Sequence, residues 1–257
     1  MILLTPDQTA ALKGWFLPER PGPLIGLHVI QTGNGTCFVD RWPGPRAVLV
    51  DTAGNTSLRG DPGSVTPADL QSSIRGFVEA SPELVPLLKA AFPDLKVWDR
   101  VVFVRQAAPR STSLNGLQER GELQIRPFQP ADAQDLQGLS PELAWISKTW
   151  GGPQGLASSG CAWGAFLDGR LASVACTFFC GEKYEDIGVV TEPKFRSKGL
   201  SAACAAALCD DIQARGRQPC WTTSPDNTAS LRVAEKLGFV FHHDDRLYVV
   251  GISIPTP

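Results

Sequence analysis

One segment constrains this chain more than any other: Val189-Val190-Thr191-Glu192-Pro193-Lys194-Phe195-Arg196-Ser197-Lys198-Gly199-Leu200-Ser201. An apolar strand runs into a basic, glycine-containing turn, and the turn opens an alanine-rich helix at Ala202. The N–H groups of a helix's first turn have no intrahelical partner and carry the positive end of the helix dipole, so they suit phosphate oxygens. Gly199 lets the backbone approach a ligand closely, and Arg196 and Lys198 add positive charge. The pattern describes a pyrophosphate cradle between a strand and a helix.

Two frequent owners of such a turn are excluded. A P-loop needs a Gly-Lys pair, and the chain contains none. A dinucleotide fingerprint needs G-x-G-x-x-G between strand and helix. The single G-x-G, Gly33-Asn34-Gly35, has Phe38 in place of the third glycine and leads into the strand-like Cys37-Phe38-Val39. Asp51-Thr52-Ala53-Gly54 has the form of a GTPase element, but without a P-loop it reads as a strand end followed by a turn.

The remaining pattern, R-x-x-G-x-[SAG] after a strand, resembles motif A of the GNAT acyl-CoA N-acyltransferase superfamily. Downstream, Pro219-Cys220-Trp221 is followed by Asn227-Thr228-Ala229-Ser230-Leu231-Arg232-Val233-Ala234-Glu235-Lys236-Leu237-Gly238-Phe239, which resembles motif B. Taken singly, these pieces have ordinary readings: Asn227 is a helix N-cap and Gly238-Phe239 a C-cap followed by a buried strand residue. Together and in order they are similar to the GNAT branch that includes the zwittermicin A self-resistance acetyltransferases. The motifs cover residues 184–241, with a looser likeness over 122–254. The resemblance implies an α/β (α+β) GNAT fold, a mixed central sheet flanked by helices.

Composition agrees with a globular chain. Over 257 residues the hydrophobic fraction is 43% and the charged fraction 19%; net charge is −2, which advertises no nucleic-acid partner. No apolar run reaches the about 18 residues of a membrane helix, and Met1-Ile2-Leu3-Leu4-Thr5-Pro6 lacks a signal-peptide pattern. The seven cysteines form no C-x-x-C pair and lie in apolar surroundings, so they read as free thiols in a reducing cytoplasm, with neither metal nor disulfide.

The chain divides into a smaller α/β half over 1–110, a polar linker over 111–121 and a GNAT domain over 122–257. In the first half, helices are expected over 5–16, 22–31, 67–80 and 82–92, and strands over 37–41, 47–52 and 97–104. This half has the outline of a degenerate GNAT-like repeat but no R-x-x-G-x-[SAG] turn. It is therefore expected to bind no coenzyme A, and to wall the acceptor pocket or build a homodimer interface. In the second half, Leu123–Phe128 opens a strand and Pro130 a helix, Asp168-Gly169 turns a hairpin, and Tyr184–Val190 leads into the cradle.

The resemblance implies direct acetyl transfer from acetyl-CoA, as co-substrate and without metal, to a primary amine of a small molecule. Backbone groups of Val189, Val190 and Thr191 would pair with the pantetheine arm and polarise the thioester carbonyl. Arg196, Ser197, Lys198, Gly199, Leu200 and Ser201 would hold the pyrophosphate, and Asn227 with Ser230 would meet the arm. The usual base is a carboxylate on the strand before motif A, where Glu182, Glu185 and Asp186 stand. Glu185 is the first choice and Asp186 the second. Alternation puts Glu185 on the face of Val189 and Asp186 on the face of Val190. His28, His242 and His243 are weaker candidates, the last two in an expected hairpin turn.

Many members carry a motif-B tyrosine that protonates the departing thiolate; here Ala234 stands there, and the general acid is unassigned. That gap supports a second class of function, a non-catalytic acyl-CoA-binding sensor or scaffold. The acceptor pocket is expected around Trp145, Trp150 and Gly151-Gly152-Pro153, together with the first half.

Overall fold

A computed structural model describes residues 1–106 and 123–256; the expected linker over 111–121 lies outside the described residues. The first half contains β1 (Ile2–Leu3), α1 (Pro6–Ala10), α2 (Ile25–Thr32), β2 (Thr36–Val39), β3 (Ala47–Thr52), β4 (Asn55–Gly60), α3 (Pro67–Ser73), β5 (Gly76–Ala80), α4 (Val85–Ala91) and β6 (Lys96–Arg105). The second contains β7 (Leu123–Pro127), α5 (Ala133–Gln137), α6 (Pro153–Ser158), β8 (Ala162–Leu167), β9 (Arg170–Cys180), β10 (Tyr184–Thr191), α7 (Leu200–Ala214), β11 (Gln218–Thr223), α8 (Thr228–Lys236) and β12 (Phe239–Val250).

All these strands join one sheet in the order β1-β2-β3-β4-β5-β12-β6-β11-β10-β9-β8-β7. Read inward from its two ends, the sheet gives β1-β2-β3-β4-β5-β12 and β7-β8-β9-β10-β11-β6. The two halves thus repeat one topology, and each lends its last strand to the other. β12 pairs with β5 and β6, and β6 pairs with β11, all antiparallel. The sheet curls around α2. Val29 packs against Cys37, Val48 and Val50 on one flank, whereas Leu24, Ile25 and Leu27 pack against Val104, Phe179, Tyr184 and Cys220 on the other. The alanine- and cysteine-rich α7 lies on the opposite face, where Ala205, Leu208 and Ile212 meet Ala165, Ala175 and Ile187. Small side chains allow that close approach of helix to sheet.

Two expectations are corrected. The helix expected over 67–80 ends at Ser73, and β5 follows it. Gly76 makes the change of direction at φ 116°, so close to Gly54 that a Cβ would meet the Gly54 carbonyl oxygen at 2.2 Å. β4 (Asn55–Gly60), its parallel partner, carries only weak strand signals and was not expected. Residues 242–245 do not form a turn: they run inside β12, where a register shift between Phe241 and His243 kinks the strand.

Candidate active site

The site begins with a separation of two parallel strands. β10 and β11 pair only through Tyr184–Gln218, Glu185–Pro219 and Asp186–Cys220. Beyond that point β10 stays with β9 as far as Thr191–Ser173, and β11 stays with β6 as far as Thr223–Val101. The register shift between Asp186 and Ile187 leaves Phe178 as an extra residue in β9 and falls where the parting starts; such a bulge bends the strand carrying it and increases the local twist of the pair. The result is a wedge with Asp186 and Cys220 at its apex and the backbone of Ile187 to Thr191 along one wall. Among the described residues, the backbone groups of that wall that point away from β9 have no strand partner, and an extended ligand arm can supply one.

The cradle stands at the open end of the wedge. Glu192 anchors the exit of β10: its carboxylate accepts from Ser140 N at 2.7 Å and Ser140 Oγ at 2.8 Å. Ser197 (φ 63°) and Gly199 (φ 77°) adopt left-handed backbone, and Gly199 is the N-cap of α7. No side chain caps that helix. Among the described residues, no N–H from Ser197 to Ala202 donates to a backbone carbonyl; the ladder begins with Ala203 N to Gly199 O at 3.1 Å. Successive free N–H groups in mixed αR/αL backbone make an anion-binding concavity. Arg196, Ser197 and Lys198 are exposed around it. On the other wall, Asn227 is indeed an N-cap: its Oδ1 accepts from Ser230 N at 3.0 Å, and Ser230 Oγ accepts from Trp221 Nε1 at 2.8 Å.

The equivalent turn of the first half is closed. After β4, Asp61 Oδ1 accepts from Gly63 N at 2.8 Å. Thr66 and Asp69 then form a capping box at the start of α3. Its own carboxylates occupy the donors that a phosphate would need.

Glu185 and Asp186 lie on opposite faces of β10. Glu185 is fully buried on the α7 face, and its carboxylate accepts from Thr177 Oγ1, from Arg215 Nη2 at 2.9 Å and from Arg217 Nη1 at 3.0 Å. Asp186 faces the α2 side. Its Oδ1 accepts from Thr222 Oγ1 at 2.9 Å and from the Cys220 thiol at 3.7 Å. Burial pushes the Asp186 carboxyl up to about 7, against the opposing pull of the Thr222 hydrogen bond and the Arg100 charge.

Of the other titratable candidates, Glu182 and His28 have structural partners; His242 and His243 meet through their Nδ1 atoms at 2.7 Å, and the buried Nε2 of His243 has no partner among the described residues. Glu182 is exposed and pairs with Lys13. His28 is buried: its Nε2–H donates to Thr149 O at 2.8 Å, and its Nδ1 accepts from Cys180 N at 3.1 Å. Burial lowers its pKa, so it is a neutral bridge from α2 to the second half. Ala234 is buried in the core against which α7 packs.

A groove of about 1130 Å³ opens between α2 and the centre of the sheet, lined by Arg20, Leu24, Arg100, Pro225, Asp244 and Asp245 among others. The segment 17–24 roofs its inner end. Glu19 fixes that segment by accepting from the N–H groups of Glu182, Lys183 and Tyr184 at 3.0, 3.1 and 2.8 Å. Trp145 and Trp150 do not line the groove; they pack near Phe178 and His28 respectively. Sequence reasoning missed Thr222, Arg100 and Asp245. The available signal was Arg100 inside the strand-like run Trp98-Asp99-Arg100-Val101; Asp245 gave none, because residues 242–245 read as a turn.

Parallel strands parting above an uncapped, glycine-led helix start define the acyl-CoA N-acyltransferase class of fold. The chain belongs to the GNAT acetyltransferase family, whose model matches residues 22–248. A Streptomyces virginiae protein described as an uncharacterized N-acetyltransferase in the mutA 5′ region is 42% identical over 220 residues, spanning 84% of this chain and 90% of that one. A GCN5-related N-acetyltransferase-like protein from Streptococcus suis has a similar fold, with TM-score 0.69 and 16% identity over 95% of this chain and 99% of its own. A tandem GNAT protein from the clavulanic acid biosynthesis pathway gives TM-score 0.59 and 14% identity over 96% of each chain.

Proposed function

We propose that the protein transfers acetyl from acetyl-CoA directly to a primary amine of a small molecule, with Asp186 as the general base. The observation that carries this reading is the wedge itself: an uncapped anion cradle at its mouth and a buried carboxylate with a raised pKa at its apex. Such a carboxyl is suited to accept a proton near neutral pH. Glu185 is replaced as first choice because both of its oxygens are already held by cations and a hydroxyl.

In this reading the N–H groups from Ser197 to Ser201, with Arg196 and Lys198, hold the pyrophosphate. Val189, Val190 and Thr191 pair with the pantetheine arm, and Asn227 and Ser230 border it. A backbone N–H of the wedge wall polarises the thioester carbonyl. The acceptor enters from the groove as an ammonium ion, and Asp186 takes its proton. The amine nitrogen bonds to the carbonyl carbon, the carbon–sulfur bond breaks, and the nitrogen's second proton passes through water to the departing thiolate, since Ala234 offers no acid; Asp186 then releases the first proton to solvent. The first half contributes the groove's roof through Glu19 and its wall through α2.

Calorimetric titration with acetyl-CoA, with free coenzyme A and ATP as comparisons, tests the cradle. Thiol release in the presence of amines tests the transfer. Acetyl-CoA binding without thiol release from any amine would favour the sensor reading, which the absence of a motif-B tyrosine supports.

A further inference from the structure

Arg100 and Asp245 stand directly opposite each other on β6 and β12 and both line the groove. Opposite charges in that register usually attract one another. These two are held apart. Arg100 donates from Nη2 to Thr222 O at 3.1 Å and lies over the Trp98 ring, its guanidinium carbon 3.9 Å from the ring centre. Asp245 turns to Arg20, accepting on Oδ1 at 3.1 Å, although its side chain is only 9% exposed.

The buried Nε of Arg100 and the buried Oδ2 of Asp245 are therefore left without partners among the described residues. Two further cations of the groove are paired, Arg59 with Glu79 and Arg246 with Asp99, whereas the exposed Asp244 has no ion-pair partner among the described residues. Buried polar atoms of opposite sign on facing residues, each unmatched, are unfavourable until a group carrying both charges completes them. Thr222 ties the pair to the base, because its carbonyl holds Arg100 while its hydroxyl holds Asp186. Through that shared threonine, a carboxylate seated on Arg100 would hold an amine on the adjacent carbon toward Asp186.

We infer that Arg100 and Asp245 are specificity-determining residues for a zwitterionic acceptor, an amine with a neighbouring carboxylate of the α-amino-acid type. Arg100 takes the carboxylate, in the planar geometry arginine offers such groups, and Asp245 takes the ammonium before its proton passes to Asp186. The inference rests on the acetyltransferase reading above. It also gives the strand exchange a consequence, since Arg100 comes from the first half and Asp245 from the second.

The test uses the full chain with acetyl-CoA and reads thiol release for matched acceptors: lysine, arginine and phenylalanine against cadaverine, agmatine and phenethylamine, and each amino acid against its carboxamide. At least one free amino acid is expected to exceed both its decarboxylated and its amide partner by 100-fold or more in kcat/KM. Arg100→Gln is expected to remove that preference mainly through KM, and Arg100→Lys to restore part of it. Equal use of the paired acceptors by the unmodified protein, a comparison that needs no variant, would overturn this inference and leave the acetyltransferase reading standing. So would an acid-to-amide ratio unchanged in a folded Arg100→Gln. Acetyl-CoA binding with no turnover of any acceptor would overturn both.

Discussion

Asp186 and Glu185 are neighbours on one strand and meet opposite environments. Glu185 faces two arginines and a threonine hydroxyl, so its charge is matched. Asp186 has a hydroxyl, a thiol and a distant guanidinium, so its charge is poorly solvated. Asp186→Asn is expected to lower kcat/KM by about 10²–10⁴-fold, the usual worth of a general base. The unmodified enzyme should gain activity as pH rises through about 7, and the variant should lose that limb. The same shift acts on stability. The folded pKa lies above the unfolded value of about 3.9, so the contribution of Asp186 is complete below that value and is lost as pH rises through about 7. Urea unfolding at pH 5 and 8.5 should show a smaller fall for Asp186→Asn than for the unmodified protein. Glu185→Gln should act through stability instead: the amide cannot match two arginines that are themselves partly exposed, a loss of roughly 1–3 kcal/mol. Urea unfolding reads that loss, and the rate per folded molecule should be largely retained.

At the scale of elements, the cradle was the most legible part of the chain because its geometry is local. A positive-φ glycine, an uncapped helix start and flanking basic residues are all specified within Arg196–Ser201. Gly199→Val forces a β-branched residue into left-handed backbone at φ 77°. It is expected to weaken acetyl-CoA binding more than tenfold, about 1.4 kcal/mol, by calorimetry on folded protein. The hairpin turned by Asp168-Gly169 and strand β3 were equally readable, the first from turn chemistry and the second from a run of apolar, β-favouring residues. β4 and β5 were not readable. Their sequences, Asn55-Thr56-Ser57-Leu58-Arg59-Gly60 and Gly76-Phe77-Val78-Glu79-Ala80, become strands because each has a partner distant in sequence, including β12. The missing turn at 242–245 has the same cause, for β6 extends those residues by pairing with them.

For the whole molecule, the exchange of β6 and β12 means that neither half closes its own sheet. Residues 122–257 expressed alone would leave β11 and β12 without β6, exposing strand edges that favour aggregation. Such a piece is expected to be insoluble, whereas co-expression with residues 1–110 should recover one complex that unfolds in a single transition. Light scattering and thermal unfolding of the two preparations check this. By itself the sequence determined the glycine-led helix start, the strand that feeds it and the pair of carboxylates from which the proposed base is drawn, because those depend on residues close together in the chain. Which carboxylate stays unmatched, where the groove runs and which charges line it were decided by tertiary structure. Arg100, Thr222, Asp245 and Asp186 meet only when strands from both halves lie side by side, and burial there, which no local pattern encodes, sets their charge.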